Sequence, residues 1–398
     1  MPGEARQLLK HAVEAAADEA KTGKSSHEAV KVGAYQAPGR IGDPGMGMEH
    51  DPRVNPKLLA AVRPLGMDKF QAPPGLAKLT ENSSMEEIAE LVDEFEQGIM
   101  MVYGGHAISL DLPSDKDMKV EMTEETIKGG DGQDMKVYVY RPSNQGDEKL
   151  PAVVYTHGGG MVLVATMNPV HDFWCKGLAS QGLVVVMPDF RNAYTKEKYN
   201  HFPAGLNDCV AAVKWTSANK DRLKIRNIVL NGESGGGNLA CAISLQANRD
   251  GWVKEISGVY PIVPYISNLY GASAERKLKE LPSLVENHGY FLNSWSNAFL
   301  GYFYTPTDEG ASDPIAWPYH ATEDMMKGLP PHVVVMDQLD PLRDEGFSYA
   351  QRLAKTGVQV KYSMNIGVLH GSALLFRSAL PELHLGMVRE VAAFAKSL

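Results

Sequence analysis

Near the middle of the chain, Asn231-Gly232-Glu233-Ser234-Gly235-Gly236-Gly237-Asn238 sets a serine in a Gly-x-Ser-x-Gly frame. The apolar run Ile228-Val229-Leu230 before it reads as a buried strand and Leu239 to Leu245 after it as a helix, so Ser234 falls on a sharp strand-to-helix turn that presents a nucleophilic hydroxyl. The backbone of such a serine is strained, and a side chain at 232 or 236 would collide across the turn; glycine removes the obstacle. Attack by a serine on an acyl carbon creates an oxyanion, which fixed backbone N–H groups stabilise without reorganising. Tyr155-Thr156-His157-Gly158-Gly159-Gly160, directly after the apolar stretch Pro151 to Val154, supplies them. The expected donors are the amides of Gly159 and Gly160, joined by that of Gly235.

A serine at neutral pH needs a histidine to take its proton, and the histidine needs a carboxylate to fix its tautomer and stabilise its cation. A nucleophile on a strand-to-helix turn calls for the chain order serine, acid, histidine. Downstream, the strand His332 to Met336 runs into Asp337-Gln338-Leu339-Asp340-Pro341-Leu342-Arg343-Asp344-Glu345-Gly346. Asp340 is the expected acid: Asp337 lies nearer the strand interior, and Asp344 falls in the first turn of the next helix, where an acidic side chain serves capping and the helix dipole. A further strand, Val358 to Tyr362, leads to Asn365-Ile366-Gly367-Val368-Leu369-His370-Gly371, and His370 is the expected general base. Glu233 neighbours the nucleophile and is read as support pointing elsewhere; His157 is read as shaping its own loop.

The pairing of His157-Gly158-Gly159-Gly160 with Gly232 to Asn238, together with Asp340-Pro341-Leu342-Arg343-Asp344-Glu345-Gly346, resembles the hormone-sensitive-lipase family of α/β-hydrolase esterases. A narrower likeness, to the brefeldin A esterase group, rests on Asp189-Phe190-Arg191-Asn192-Ala193, Leu281-Pro282-Ser283-Leu284-Val285-Glu286-Asn287, Asp313 to Tyr319 and Asn365-Ile366-Gly367. It covers most of the chain from about residue 135 onward. The resemblance implies a triad of Ser234, Asp340 and His370, an oxyanion hole of Gly159, Gly160 and Gly235, and a homodimer. It also implies a lid formed by an N-terminal segment and an insertion, here residues 1–110 and 264–320, over a catalytic domain of 111–263 and 321–398. Two departures stand out: Glu233-Ser234-Gly235 replaces the Asp-Ser-Ala of most members, and Phe190-Arg191-Asn192-Ala193-Tyr194 replaces the usual Tyr-Arg-Leu-Ala-Pro.

The elements that must position these residues alternate. Val120 to Ile127 and Met135 to Tyr140, separated by Gly129-Gly130-Asp131-Gly132, read as an antiparallel hairpin. Strand Ala152 to Tyr155, a helix near His171 to Gln181, strand Val184 to Met187 and a helix near Leu206 to Ala218 then lead to the elbow. This is a doubly wound α/β pattern with a mostly parallel sheet, active-site loops at the carboxyl ends of its strands, and a helical cap. Upstream, Ala5 to Ala20 and Pro56 to Val62 read as helices and Lys24 to Gly47 as loop. Ser84 caps a further helix with Glu87 three residues on, and its apolar face comprises Ile88, Leu91, Val92 and Phe95. Between Pro261 and Pro330 the alternation breaks, and Tyr290, Phe291, Trp295, Phe299, Tyr302, Phe303 and Tyr304 crowd there, most of them as the core of the insertion. Met100, Met101 and Tyr103 either line a pocket or dock their helix.

With 398 residues the chain can bury about three quarters of its unfolded surface in one core. A net charge of −9 offers no basic field for nucleic acid or anionic lipid, and no run is apolar enough to span a membrane, so a cytoplasmic protein is expected. Cys175, Cys209 and Cys241 are too widely spaced for a disulfide framework or zinc site, and no phosphate-cradling or His-Glu-x-x-His motif occurs; no cofactor and no metal are expected. The reading is therefore a serine carboxylesterase acting on short-chain or compact esters or lactones, its partner a small-molecule ester. Amide hydrolysis would use the same triad. A non-catalytic receptor on this fold, as in plant gibberellin receptors, would typically lack the histidine that this chain has at 370.

Overall fold

Short runs of β-branched residues bounded by Pro, Gly and Asp build the centre of the molecule. A computed structural model describes residues 3–32, 35–69, 79–80, 82–103, 118–143 and 146–398. Its main sheet has eight strands: β1 (Val120–Lys128), β2 (Asp134–Pro142), β3 (Leu150–Thr156), β4 (Val184–Pro188), β5 (Ile225–Glu233), β6 (Gly258–Ile262), β7 (His332–Asp337) and β8 (Val360–Asn365). Their order is β8-β7-β6-β5-β3-β4-β2-β1, with β2 antiparallel to both its neighbours and every other pair parallel. Val153-Val154, Val184-Val185-Val186 and Val334-Val335 are buried, as strands covered on both faces must be. The longer helices are α1 (Glu4–Thr22), α2 (Met85–Tyr103), α3 (Pro169–Ser180), α4 (Ala204–Ala218), α5 (Gly235–Arg249), α6 (Ser294–Tyr304), α7 (Arg343–Lys355) and α8 (Pro381–Ser397). On the sheet, α3 packs with α8 and α4 with α5.

The sheet order positions the site. After β3 the chain crosses to β4 on one side, then returns to place β5 on the other side of β3, so the two strands that end at the Gly-rich loop and at Ser234 are parallel neighbours. Their carboxyl ends are in register, Thr156 opposite Gly232, which brings the two turns together at a point where the strand order reverses. Farther along, Asn365 at the end of β8 sits opposite Asp337 at the end of β7, so the loops carrying His370 and Asp340 also emerge side by side.

After β6 the alternation stops until His332, and this stretch contains α6 and several short helical turns. α1 lies against α6, its Leu9, Ala12 and Ala16 buried, while α2 meets α6 through Phe95 and Phe299, edge to face at 5.7 Å. α2 begins as its sequence predicts: Ser84 N donates to Glu87 Oε2 at 2.7 Å and Glu87 N donates back to Ser84 Oγ at 3.2 Å.

Three local expectations need correction. The last strand starts at Val360 rather than Val358, because Val358 N donates to Leu353 O and so closes the preceding helix instead of pairing in the sheet. The segment Lys24 to Gly47 is not loop throughout: Lys31–Val32 pairs antiparallel with Tyr35–Gln36, and Gly39–Gly42 forms a helical turn. Met101 is 63% exposed and so neither docks α2 nor lines an interior wall. The three cysteines are buried and unpaired, and among the described residues no helix is long and apolar enough to cross a membrane.

Candidate active site

Ser234 sits between β5 and α5 with φ 54° and ψ −119°, a region where a residue with a side chain is rare. The neighbouring strand holds it there: Ser234 N donates to Ile262 O at 2.9 Å, and its own carbonyl accepts from Tyr265 N at 3.1 Å and Asn238 N at 3.0 Å. The flanking glycines are a steric necessity. A Cβ at Gly236 would lie 1.9 Å from Thr156 O, and one at Gly232 would lie 2.4 Å from the backbone of Gly236. Glu233 and Gly235 are buried while Ser234 is half-buried, so the turn lifts the hydroxyl out of the core toward a cavity.

Across the turn, Gly159 and Gly160 adopt φ 100° and 63°, conformations that glycine alone takes at no steric cost. Gly235 packs against them so closely that a Cβ there would meet Gly160 N at 2.7 Å and Met161 N at 2.5 Å. Among the described residues, the N–H groups of Gly159, Gly160 and Gly235 donate to no backbone carbonyl or side chain. Unpartnered amides beside a serine are the arrangement that stabilises a developing oxyanion. Glu233 braces this loop from behind. Its Oε1 accepts from Gly158 N at 2.7 Å and its Oε2 from Tyr155 OH at 2.6 Å, with His171 Nε2 3.5 Å from Oε1. His157 donates from Nδ1 to Gly158 O at 2.7 Å, accepts at Nε2 from Thr166 Oγ at 3.0 Å, and stacks on Phe190 and His171. Burial, reinforced by His171, holds its pKa far below the ordinary value, so the ring is a neutral structural element.

Of the three candidate acids, Asp340 is the one joined to the His370 ring. His370 Nδ1 donates to Asp340 Oδ2 at 2.8 Å, and Leu342 N donates to the other carboxylate oxygen at 2.9 Å. Both side chains are buried. Burial works against a charged imidazole, but the charge of Asp340 and its hydrogen bond outweigh this, and the His370 pKa rises above its ordinary value. Asp337, last residue of β7, instead accepts from Asn365 Nδ2 at 2.7 Å and Ser372 N at 3.2 Å, which pins the loop on either side of His370. Burial pushes its pKa up to about 7. Asp344 lies in the first turn of α7 as its position predicts, yet its carboxylate accepts from Ser283 N at 2.6 Å, tying that turn to the segment after β6 rather than capping its own helix.

Ser234 and His370 line one cavity with Gly159 and Gly160. The remaining wall comes from α2 (Phe95, Ile99, Tyr103), from the loop after β3 (Leu163), from Tyr265, from Phe291, Leu292, Asn297 and Leu300, and from Leu342 before α7. Of the seven crowded aromatics, Phe291 alone is on this wall. Tyr103 does both of the things its position allows, lining the cavity and setting its ring edge against His171 at 5.2 Å. Sequence reasoning passed over Tyr265, although its place just beyond the end of β6, beside the elbow, was a usable signal; for Asn297 and Leu300, interior residues of α6, no such signal existed. A larger cavity of about 450 Å³ lies beneath α1 near Trp295, and neither Ser234 nor His370 borders it.

This fold and site define a class. The alpha/beta hydrolase fold family matches residues 153–374, and the chain belongs to that family, in its hormone-sensitive-lipase branch. Among solved structures it is 46% identical to brefeldin A esterase, a bacterial homologue of human hormone-sensitive lipase, over 91% of this chain and 98% of that one, with a TM-score of 0.87. It is 30% identical to the esterase Est22, over 88% of this chain and 99% of that one, with a TM-score of 0.76. It is also 31% identical to the carboxylesterase NlhH of Mycobacterium tuberculosis, over 62% of this chain and 74% of that protein.

Proposed function

We propose that the protein is a serine carboxylesterase that hydrolyses short-chain or compact carboxylic esters or lactones. The observation that carries this reading is the buried Asp340–His370 hydrogen bond opening onto the same cavity as Ser234 and the free amides of Gly159 and Gly160. The names of its relatives, two esterases and a carboxylesterase, agree with it.

His370 Nε2 removes the Ser234 hydroxyl proton as Oγ bonds to the ester carbonyl carbon, while the carbonyl oxygen takes up negative charge beside the amides of Gly159, Gly160 and Gly235. Asp340 holds the Nδ1 proton and stabilises the imidazolium. His370 then gives its proton to the departing alkoxide, leaving an acyl group on Ser234. Water, deprotonated by His370, attacks that group, and the acid leaves as Oγ regains the proton. Residues 1–110 and 264–320 act together as the cap over this chemistry, a role supported by the packing of α1 and α2 on α6.

The test is hydrolysis of p-nitrophenyl acetate by the purified protein and by Ser234→Ala. The wild type should turn over, and the variant should lose roughly six orders of magnitude in kcat. A wild type that binds but does not hydrolyse would favour a receptor, and activity that survives in the variant would place the chemistry elsewhere.

A further inference from the structure

The cavity at Ser234 has a small accessible volume, about 50 Å³. Next to it lies a groove of about 340 Å³, and the two share four lining residues: Phe95 and Ile99 of α2, Phe291 and Leu292. A water-sized group needs roughly 10–15 Å³ of such space. The inner compartment therefore takes about four heavy atoms, an acetyl or propionyl unit, whereas the groove takes on the order of 25. Leu65, Met67 and Val102 extend the groove as apolar wall, and Lys69 and Glu94 bring charge to its lining.

The partition between them is built with strain. Phe291 has φ 69°, where a bulky residue is an outlier, and Leu292 N donates to Tyr290 O at 2.9 Å, closing a three-residue turn around it. Gly289 N donates to Leu292 O at 2.9 Å and locks the base of that turn. The turn aims the Phe291 ring at Phe376, edge to face at 5.6 Å, in the segment that follows His370. Phe291 thus stands on the general-base side of the site. On the oxyanion side, Leu300 and Tyr265 flank Gly160: a Cβ on that residue would be in ordinary contact, 3.6 Å from Leu300 Cδ1 and 3.8 Å from Tyr265 Cε1.

Building on the esterase reading, we propose that Phe291 divides the substrate site by role: the inner compartment, closed by Leu163, Tyr265 and Leu300, takes a two- or three-carbon acyl group, and the outer groove takes the apolar alcohol. The chemistry requires the departing alkoxide to face His370, its proton donor, so the alcohol leaves past Phe291 and the acyl group lies against Leu300. The substrate class is an acetate or propionate ester of a large, apolar, unbranched or flat alcohol. A group branched at the second carbon from the oxygen meets the Phe291 ring.

Two ester series of primary alcohols with similar leaving-group acidity test this. Acetates of ethanol, 2-(naphthyl)ethanol and neopentyl alcohol vary the alcohol; acetate, butyrate and hexanoate of 2-(naphthyl)ethanol vary the acyl chain; every rate is repeated with Ser234→Ala. In the wild type, kcat/KM should rise at least about tenfold from the ethyl to the naphthylethyl acetate and fall at least about tenfold from acetyl to hexanoyl. Phe291→Ala should raise the neopentyl-to-ethyl ratio by about tenfold and leave the acyl profile unchanged, whereas Leu300→Ala should lengthen the accepted acyl chain. Phe291→Leu, which keeps an apolar side chain in the turn, should give an intermediate ratio and covers the case in which the alanine variant does not fold. Acyl selectivity that responds to Phe291, or alcohol selectivity blind to it, overturns the partition while leaving the esterase reading intact. Absence of Ser234-dependent turnover on every ester would instead overturn the esterase reading itself.

Discussion

A serine hydroxyl is a poor nucleophile at neutral pH, and the proposed mechanism relies on an imidazole that lines the same cavity and is held by one carboxylate. His370 accepts a proton only when neutral. Burial alone would lower its pKa, but Asp340 more than offsets burial and raises it above the ordinary 6.5. The protonated, inactive form therefore persists to a higher pH than for a free histidine, and kcat/KM should fall as pH drops through a value above 6.5. Asp340→Asn removes the largest raising influence and leaves burial opposed only by the charges of Asp337 and Glu233, so the acid limb should move to lower pH while the rate on the alkaline plateau drops by roughly 10³–10⁴-fold. A pH profile of kcat/KM for both proteins checks this. An acid limb unmoved by the substitution would mean that Asp340 does not set the state of His370.

At the scale of elements, the glycine spacing and valine runs made the strands and the elbow readable in advance. Both signals are local: a Cβ at Gly236 clashes with Thr156 O whatever the rest of the chain does, and Val184-Val185-Val186 has no amphipathic alternative to burial. The Val358 N–Leu353 O bond is a local helix-end closure past Gly357 at φ 83°, a signal that competes with the strand pattern; Asp344 falls in the first turn as expected, but its partner, Ser283 N, is assigned by packing and not by sequence neighbours. The cavity wall was illegible for the same reason, since Phe95, Tyr265 and Leu300 arrive from three separate elements. Glu345 of α7 shows how firmly such elements are joined: Oε1 accepts from Ile266 N and from Tyr270 OH, each at 3.0 Å. Burial pushes its pKa up from 4.5 to about 8, only partly offset by these donors. A carboxyl whose folded pKa is raised stabilises the fold fully below its unfolded pKa, and that contribution is lost as pH rises through about 8. Glu345→Gln, which keeps an acceptor but cannot ionise, should therefore show a smaller fall in Tm than the wild type between about pH 5 and pH 8. Parallel Tm curves would contradict a protonated Glu345 in the fold.

The whole molecule follows from the reversal of strand order at β3 and β5. That single topological fact sets the Gly-rich loop against the elbow, and the parallel β7 and β8 deliver Asp340 and His370 from strands farther along the sheet. The helices before and after then close over the carboxyl ends of those strands, leaving a half-buried hydroxyl in a cavity of about 50 Å³. In such an assembly one hydroxyl should be far more reactive than any other in the chain. Treatment with diethyl p-nitrophenyl phosphate, followed by intact-mass measurement and peptide mapping, tests this most directly. One diethylphosphoryl group should appear, on the peptide containing Ser234, in step with loss of esterase activity, and it should be absent from His370→Ala. Labelling elsewhere, or an inhibited protein with Ser234 unmodified, would contradict the account.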